Sequence, residues 1–341
     1  MKNAVIIAEG VLGTTYGKTA NGLLRYSKRF NIVGVVDSRQ EGKDAGEVVN
    51  GKPSGIPVVS DPVDLFNAGA EGIIIGVASD GGTLPGNYRK FVSDALERGM
   101  FVVSGLHEFI SDDPEFSGIA KRTGSEITDV RKIFRDMRHN FTGDILNVES
   151  KKIAVLGTDS AVGKRTTAVK LMEHLQGRGS SALMIGTGQT AWIQGFRHTI
   201  VLDAIVNDFV PGALEKVTVD AWNEERPDIM MLEGQGSVMH PAYPGSFEII
   251  AACRPEAIIL QHSPAREFYD GFPGFRIPPV ETYIRILETL SGKKVIAISI
   301  NREGMKDSEL RETIEAYRDR YSIPVFDPLG DLREIGDIVS G

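Results

Sequence analysis

Short apolar runs alternate with amphipathic stretches along the first half of the chain. Apolar runs of about four to eight residues between helical patterns are typical of buried parallel strands in an α/β sheet. The pattern predicts strands at residues 4–8, 32–37, 72–77 and 100–104, and helices at 18–29, 62–68 and 88–99. The first half is therefore expected to form a Rossmann-like parallel-sheet domain, in which ligands lie at the carboxyl ends of the strands. Gly-bearing loops at residues 9–13, 79–82 and 104–107 follow three of these strands.

The second half repeats this alternation after a polar, charge-rich stretch at residues 131–152. Strands are predicted at residues 153–156, 182–185, 229–232, 257–260 and 295–300, and helices at 164–176, 282–290 and 307–319. We place the domain boundary near Asp144, which gives a Rossmann-like domain at 1–143 and a P-loop NTPase-like α/β domain at 144–341.

Composition and charge restrict the class of protein. The 341 residues fit two domains of about 150 to 200 residues each. Acidic residues outnumber basic ones by 46 to 38, so we expect no nucleic-acid partner, because a phosphate backbone requires a basic face. The single Cys253 excludes an internal disulfide. The chain shows no signal-peptide pattern and no apolar run near the about 18 residues of a membrane helix, so we expect a cytoplasmic protein without a membrane partner.

The strongest chemical signal is a Gly-rich loop between a predicted strand and a predicted helix. Such a loop directs backbone N–H groups and the positive end of a helix toward an anion, and Lys164 adds a mobile charge. We therefore predict a phosphate-binding loop, and it is expected to bind the phosphates of a cofactor. Its residues are Gly157, Thr158, Asp159, Ser160, Ala161, Val162, Gly163, Lys164, Arg165, Thr166 and Thr167.

This loop departs from the common G-x-x-x-x-G-K-[ST] pattern in two ways. Its first Gly is displaced by one position, and Arg165 stands where a Ser or Thr hydroxyl normally holds Mg²⁺. Thr166 and Thr167 point in other directions, because each helical residue is turned about 100° from the last. The phosphates of the ligand are therefore expected to be held and not cleaved.

Two further Gly-bearing segments are expected at the same edge of the second sheet. Glu233 ends a predicted strand and is followed by Gly-Gln-Gly, so it is a candidate metal ligand or base. Gly188 and Gln189 belong to a Gly-Thr-Gly-Gln-Thr loop after another strand and are predicted to contact the cofactor. In the first half, Asp37 ends the second strand, and the sequence favours a cap or an ion pair with Arg39 over a ribose-binding role.

Two family resemblances are carried by these motifs. G-T-D-S-A-V-G-K (157–164) and L-E-G-Q-G (232–236) resemble the loops of dethiobiotin synthetases, and this similarity covers only the P-loop half. A second resemblance, to the DgcN-type D-glutamate N-acetyltransferase family, spans nearly the whole chain. Its motifs are K-T-A-N-G-L-L-R-Y (18–26), G-L-H-E-F-I-S-D-D-P-E (105–115), G-T-D-S-A-V-G-K-R-T-T (157–167), G-T-G-Q-T (186–190), E-G-Q-G-S-V-M-H-P-A-Y (233–243) and H-S-P-A-R-E-F-Y-D-G-F-P (262–273).

The second resemblance implies transfer of an acetyl group from acetyl-CoA to the amine of a small acidic amino acid such as D-glutamate. Acyl transfer to an amine needs a base, and Glu233 and His240 are the candidates. Arg266 and Arg276 are expected to bind the carboxylates of the amino acid, because guanidinium groups can bind carboxylates bidentately. His262 is a third candidate for substrate binding.

Two other functions stay open at this stage. The first is a Mg-ATP-dependent ligase or kinase of dethiobiotin synthetase type, in which Glu233 and Asp203 would bind the metal. The second is a non-catalytic nucleotide-binding regulator. Arg165 favours the acetyltransferase over the ligase, because it replaces the metal-binding hydroxyl. The sequence is compatible with an oligomer and does not decide its state.

Overall fold

A computed structural model of the chain contains two large parallel sheets with helices. It describes residues 1–341, apart from the side chain of Asp80, so the predicted loop at 79–82 lies partly outside the described residues. The elements of the first half, in chain order, are β1 (Lys2–Ile7), α1 (Lys18–Arg25), β2 (Phe30–Val36), α2 (Ala45–Asn50), β3 (Val58–Val59), α3 (Val63–Asn67), β4 (Gly72–Ile75), α4 (Arg89–Glu97), β5 (Phe101–Ser104), α5 (Pro114–Thr123), β6 (Ile127–Asp129) and α6 (Val130–Arg135).

The first sheet has the strand order β3-β2-β1-β4-β5-β6, and every pair of neighbours is parallel. This is the order of a Rossmann-like sheet, in which the strand order reverses between β1 and β4. The four predicted strands form the centre of the sheet, and the two unpredicted strands, β3 and β6, form its edges. The prediction of a Rossmann-like first domain is therefore confirmed.

The second half adds a sheet of the same kind. Its elements, in chain order, are β7 (Lys151–Gly157), α7 (Lys164–Gly177), β8 (Ala182–Ile185), α8 (Gln189–Gln194), α9 (Val210–Glu225), β9 (Ile229–Glu233), α10 (Ser246–Cys253), β10 (Ala257–His262), β11 (Phe268–Tyr269), β12 (Phe272–Arg276), α11 (Val280–Ser291), β13 (Val295–Ile300), α12 (Asp307–Tyr321), β14 (Val325–Phe326) and α13 (Arg333–Ser340).

The second sheet has the order β14-β13-β10-β7-β9-β8 and is parallel throughout. Strand β7, which leads into the phosphate loop, lies between β9 and β10. Because parallel strands end at the same edge, the residues that follow β7, β9 and β10 come together there. Strands β11 and β12 form a separate antiparallel hairpin. The predicted P-loop-type second domain is confirmed.

Backbone contacts divide the chain into two compact units. The first comprises residues 1–136 and 189–197, and the second comprises residues 137–188 and 198–341. Helix α8 thus packs in the first unit, although it follows a strand of the second sheet. There Gln194 accepts a hydrogen bond from the Lys28 N–H at 2.8 Å, Trp192 accepts one from Arg29 Nε at 2.9 Å, and Phe196 stacks on Tyr26 with ring centroids 4.8 Å apart.

The second unit begins before the predicted boundary near Asp144. The buried carboxylate of Glu215, on α9, accepts hydrogen bonds from the N–H groups of Thr142, Gly143 and Ile145. These bonds fix the segment before β7 onto α9. Helix α9 has 16 residues and was not predicted, because its buried positions are spread over more than one face and include this charged residue.

No helix in the described part of the chain is long and apolar enough to cross a bilayer.

Candidate functional site

The phosphate loop joins the end of β7 to the start of α7, as its sequence predicts. Ala161 has a φ of 49° and Gly163 a φ of 100°, so the backbone turns sharply twice within three residues. A positive φ is uncommon for alanine, and such strain concentrates at functional sites. Among the described residues, none accepts a hydrogen bond from the N–H groups of Ala161, Val162 and Gly163. These three donors and the amino end of α7, called the cradle here, are groups of the kind with which phosphate-binding loops hold an anion.

The side chain of Lys164 passes between two glycines. A Cβ atom at Gly157 would lie 2.9 Å from Lys164 Cδ, and one at Gly234 would lie 2.8 Å from the same atom. Both distances are too short for carbon atoms, so only glycine leaves room for the lysine. Lys164 Nζ donates a hydrogen bond to the carbonyl oxygen of Asp159 at 2.6 Å. The lysine charge is thereby held inside the loop.

Arg165 and Glu233 form an ion pair beside the cradle, with 3.2 Å between Nε and Oε1. The side chain of Glu233 is 5% exposed, and its Oε2 accepts a hydrogen bond from the Thr187 N–H at 2.9 Å. The loop after β8 therefore orients the carboxylate at the end of β9. Gly188 lies beside Gln235 in the same cluster. Thr187 and Gly188, in the loop after β8, therefore lie beside the segment that follows β9, as the sequence predicts.

Gln189, the next residue, lies with the first unit. Its side chain is buried there, and Oε1 accepts a hydrogen bond from Arg131 Nη2 at 3.3 Å. A Cβ at Gly105 would lie 2.6 Å from Gln189 Cγ, so the predicted Gly loop after β5 packs closely against this helix. In the structure the Gln189 side chain contacts only protein groups of the first unit. Its contact with a cofactor remains a prediction.

The side chain of Asp159, in the phosphate loop, has four polar neighbours. It is fully buried, and Oδ2 lies 3.0 Å from Arg266 Nη1 and accepts the Asp270 N–H at 3.0 Å. Oδ1 accepts the Ser160 N–H and lies 3.3 Å from His240 Nε2. Burial acts to raise the pKa of Asp159, but His240, Arg266 and the Ser160 N–H lower it by more, so its pKa is below the usual range. Asp159 thus fixes the loop to the β11–β12 hairpin.

His240 faces this carboxylate with a fully buried ring. Its Nδ1 accepts hydrogen bonds from the N–H groups of Ala242 and Tyr243, each at 3.1 Å. A nitrogen that accepts two N–H donors carries no proton, so the ring proton lies on Nε2, toward Asp159. The ring has no free lone pair with which to take a proton from a substrate. This geometry favours a positioning role for His240.

His262 ends β10 and contacts the phosphate loop from the other side. Its Nδ1 lies 2.9 Å from the hydroxyl of Thr158, and its Nε2 lies 3.4 Å from the hydroxyl of Tyr317. Both His262 and Arg266 line a cavity of about 170 Å³. Burial lowers the pKa of His262 to about 4, so its ring is neutral at physiological pH.

We expect His262 to make the folded chain less stable in acid. Its pKa falls from 6.5 in the unfolded chain to about 4 in the folded one, so between these values only the unfolded chain binds the proton. The free energy of unfolding should therefore decrease as the pH falls, by about 1.4 kcal/mol per pH unit from this group. Denaturant unfolding of the native protein and of His262→Gln across this range measures the effect. Equal pH slopes for the two proteins would contradict it.

The other predicted residues occupy varied positions. The hydroxyl of Thr167 is buried, donates to Gln261 and lies 3.1 Å from Ser299 Oγ, so it faces the sheet and not the cradle. Thr166 is half-buried.

Two predicted residues lie at the surface. Asp203 is exposed on a short turn. Arg276 is 70% exposed on the hairpin and pairs with Glu267. The two candidate metal ligands of the ligase alternative therefore lie in different environments. Asp203 is at the surface, and Glu233 is buried beside the cradle.

Three polar residues near the loop were not identified from the sequence. Tyr283 donates a hydrogen bond to the carbonyl oxygen of Thr158 at 2.8 Å and bonds Tyr269 at 2.5 Å. Asn301, directly after β13, donates to the carbonyl oxygen of Val162 at 2.9 Å. The position of Asn301 could have been predicted from the sequence, because polar residues that follow buried parallel strands lie at one edge of the sheet. No sequence pattern indicated the two tyrosines, since Tyr269 lies within the hairpin and Tyr283 within α11.

In the first unit, Asp37 has the predicted structural role. Its Oδ2 accepts the Leu12 N–H at 2.9 Å and its Oδ1 accepts the Arg39 N–H at 3.0 Å, and the side chain is buried. The carboxylate therefore caps the turn after β2 and holds the loop after β1, where a dinucleotide-binding protein would place a ribose.

Comparison with protein families identifies the chain. Residues 38–133 match the Rossmann-like domain of unknown function DUF1611_N, and residues 139–336 match the P-loop domain of unknown function DUF1611_C. The chain belongs to the DUF1611 family. A crystal structure of a DUF1611 family protein from Anabaena variabilis has a TM-score of 0.91 to this chain at 27% identity and covers 99% of both chains. The DUF1611 fold thus extends over the whole molecule.

Two curated relatives are named D-glutamate N-acetyltransferase. The one from Tritonibacter scottomollicae is 31% identical over 268 residues, which cover 76% of this DUF1611 chain and 78% of the relative. The one from a Pseudoalteromonas species is 29% identical over 271 residues, covering 77% and 79%. Both names support the prediction that this DUF1611 chain is an enzyme of the acyltransferase class.

Proposed function

We propose that the chain transfers an acetyl group from acetyl-CoA to the amine of D-glutamate or a similar acidic amino acid. The observation that carries the proposal is the alignment of two relatives of that name over about three quarters of the chain. The phosphate loop is compatible with it, because coenzyme A bears a pyrophosphate and a further phosphate.

The donor phosphates are proposed to lie in the cradle. The N–H groups of residues 161–163, the amino end of α7 and the side chains of Lys164 and Arg165 together supply dipoles and two positive charges. Such a set attracts a polyanion and offers charge-assisted hydrogen bonds, which are stronger than neutral ones. The role assigned to the cradle is to bind and position the donor.

The chemical step needs a base for the ammonium group of the acceptor. The amine nitrogen forms a bond to the thioester carbonyl carbon, the carbon–sulfur bond breaks, and coenzyme A leaves as the thiol. We assign the base to Glu233, because its carboxylate is oriented by Thr187 and Arg165 at the edge of the cradle. His240 is not chosen, since its Nδ1 lone pair accepts two N–H groups and its Nε2 carries the ring proton, whereas each carboxylate oxygen of Glu233 has a second lone pair.

Of the predicted substrate residues, Arg276 is best placed to bind an acceptor carboxylate. Its partner Glu267 is exposed, and exposed ion pairs contribute only about 0 to 1 kcal/mol, so a substrate can displace it. Arg266 already has two carboxylate partners, Asp159 and Glu303, at 3.0 and 2.7 Å. His262 is neutral and bonded to Thr158.

A binding and turnover experiment tests the proposal. Acetyl-CoA at 100 times its Kd should stabilise the folded protein by about 2.7 kcal/mol, and incubation with D-glutamate should give N-acetyl-D-glutamate by mass spectrometry. Lys164→Ala should weaken acetyl-CoA binding about 10- to 100-fold, because one charged hydrogen-bond donor is lost. Lys170→Ala, at a half-buried position of the same helix where the lysine pairs with Glu173, is the control and should bind normally.

Other outcomes distinguish the alternatives. Stabilisation by ATP only with Mg²⁺, without any by acetyl-CoA, would favour a ligase. Nucleotide binding without turnover of any amino acid would favour a regulator. Unchanged acetyl-CoA binding by Lys164→Ala would remove the cradle from the proposal.

A further inference from the structure

P-loop proteins hold Mg²⁺ between two oxygen ligands at fixed places. One is the hydroxyl that follows the P-loop lysine, and the other is a carboxylate at the end of a neighbouring strand. In this chain those places hold Arg165 and Glu233, and the two side chains are in direct contact at 3.2 Å. We propose that the guanidinium of Arg165 takes the place of the metal ion, so that phosphates are bound without Mg²⁺.

The oxygen atoms around the cradle do not fit a magnesium site. Mg²⁺ requires about six oxygen ligands in near-octahedral geometry. Glu233 has one oxygen on Arg165 and the other on the Thr187 N–H, and the Thr167 hydroxyl faces the sheet. Asp159 is paired with Arg266. Within the described part of the chain, no cluster of three or more His, Cys, Asp or Glu side chains has the arrangement of a metal site.

Arg165 itself retains a donor for a ligand. Its Nη1 is buried, and no described residue accepts a hydrogen bond from it, while its Nε is occupied by Glu233. Buried donors are nearly always bonded, so this one indicates an acceptor that comes from outside the protein. A phosphoryl oxygen suits it, because guanidinium groups bind phosphate through parallel N–H donors and stay charged at any ordinary pH.

The inference concerns how phosphate is held and does not depend on the proposed function. It applies equally to coenzyme A and to a nucleotide. If the chain bound ADP without metal and did not bind coenzyme A, the acetyltransferase proposal would fail and this inference would stand.

Calorimetric titrations with coenzyme A, ADP and inorganic pyrophosphate test it, each in excess Mg²⁺ and in excess EDTA. The native protein should bind with the same Kd in both buffers. A Kd that rises in EDTA by the same factor for every ligand would overturn the proposal, and so would a failure to bind any of the three. This arm needs no variant and is independent of activity.

Two substitutions of Arg165 provide a sharper test. Arg165→Ser restores the usual hydroxyl, and Arg165→Ala does not. Both should bind about 10- to 100-fold more weakly in EDTA, since a charged donor is lost. Mg²⁺ should restore binding to Arg165→Ser alone, because only serine supplies the second oxygen beside Glu233. Equal rescue of both variants, or unchanged binding in Arg165→Ala, would contradict the proposal.

Discussion

Replacing Glu233 by glutamine should lower kcat for N-acetylation by about 10²- to 10⁴-fold, which is the usual contribution of a general base. Glutamine has nearly the same shape, and its carbonyl oxygen can still accept the Thr187 N–H, although its amide group then faces Arg165 Nε and the ion pair is lost. The Kd for acetyl-CoA should not increase, because the change removes a negative charge next to the phosphates. Steady-state kinetics together with donor titration separate the two quantities.

Glu173 provides the matched control for this experiment. It is partly exposed on α7 and pairs with Lys170, so Glu173→Gln should leave kcat unchanged. If Glu233→Gln kept full activity, the base would be another group. If it lost donor binding in proportion to activity, Glu233 would serve the cradle and not the chemistry.

Replacing Arg266 by alanine should reduce the free energy of unfolding of the second unit by about 3 to 5 kcal/mol. Removing one partner of a buried ion pair leaves an uncompensated charge, and Asp159 is fully buried. Arg276→Ala is the control, since an exposed arginine with an exposed partner should change stability by about 0.5 kcal/mol or less. Fluorescence of Trp222, on α9, can follow the second unit in a Trp192→Phe background.

A double variant sharpens the stability test. Asp159→Asn removes the stranded charge, so Arg266→Ala combined with Asp159→Asn should be less destabilised than the sum of the two single changes. Additive losses would show that the two side chains do not act as a pair. Equal losses for Arg266→Ala and Arg276→Ala would show that burial of the pair has no effect.

The apolar runs were sufficient to predict the central strands of both sheets. Buried parallel strands read as continuous hydrophobic stretches, and all nine predicted strands are present. Strands β3 and β14 have two residues each, too few for a period to appear. The β11–β12 hairpin was missed because it is largely exposed and contains Pro273 and Gly274, which sequence analysis assigns to loops.

The sequence likewise predicted one part of the candidate site and not another. The cradle was predictable because its glycines and its lysine lie within a few residues of one another. The environment of Asp159 was not, since Arg266 lies 107 residues away in sequence and the contact arises only when β7 and β10 become neighbours. The burial of His240 likewise depends on aromatic residues of the hairpin, Tyr269 and Phe272.

The membership of α8 in the first unit has a consequence for biosynthesis. Thr190 contacts Thr19 across 171 residues of sequence, and Gln194 bonds Gly22 across 172. An emerging chain therefore cannot complete its amino-terminal unit until more than half of its length has left the ribosome. Contacts of such long range slow folding, so the apolar surface that awaits Ala191 and Ile193 remains open to chaperones during translation.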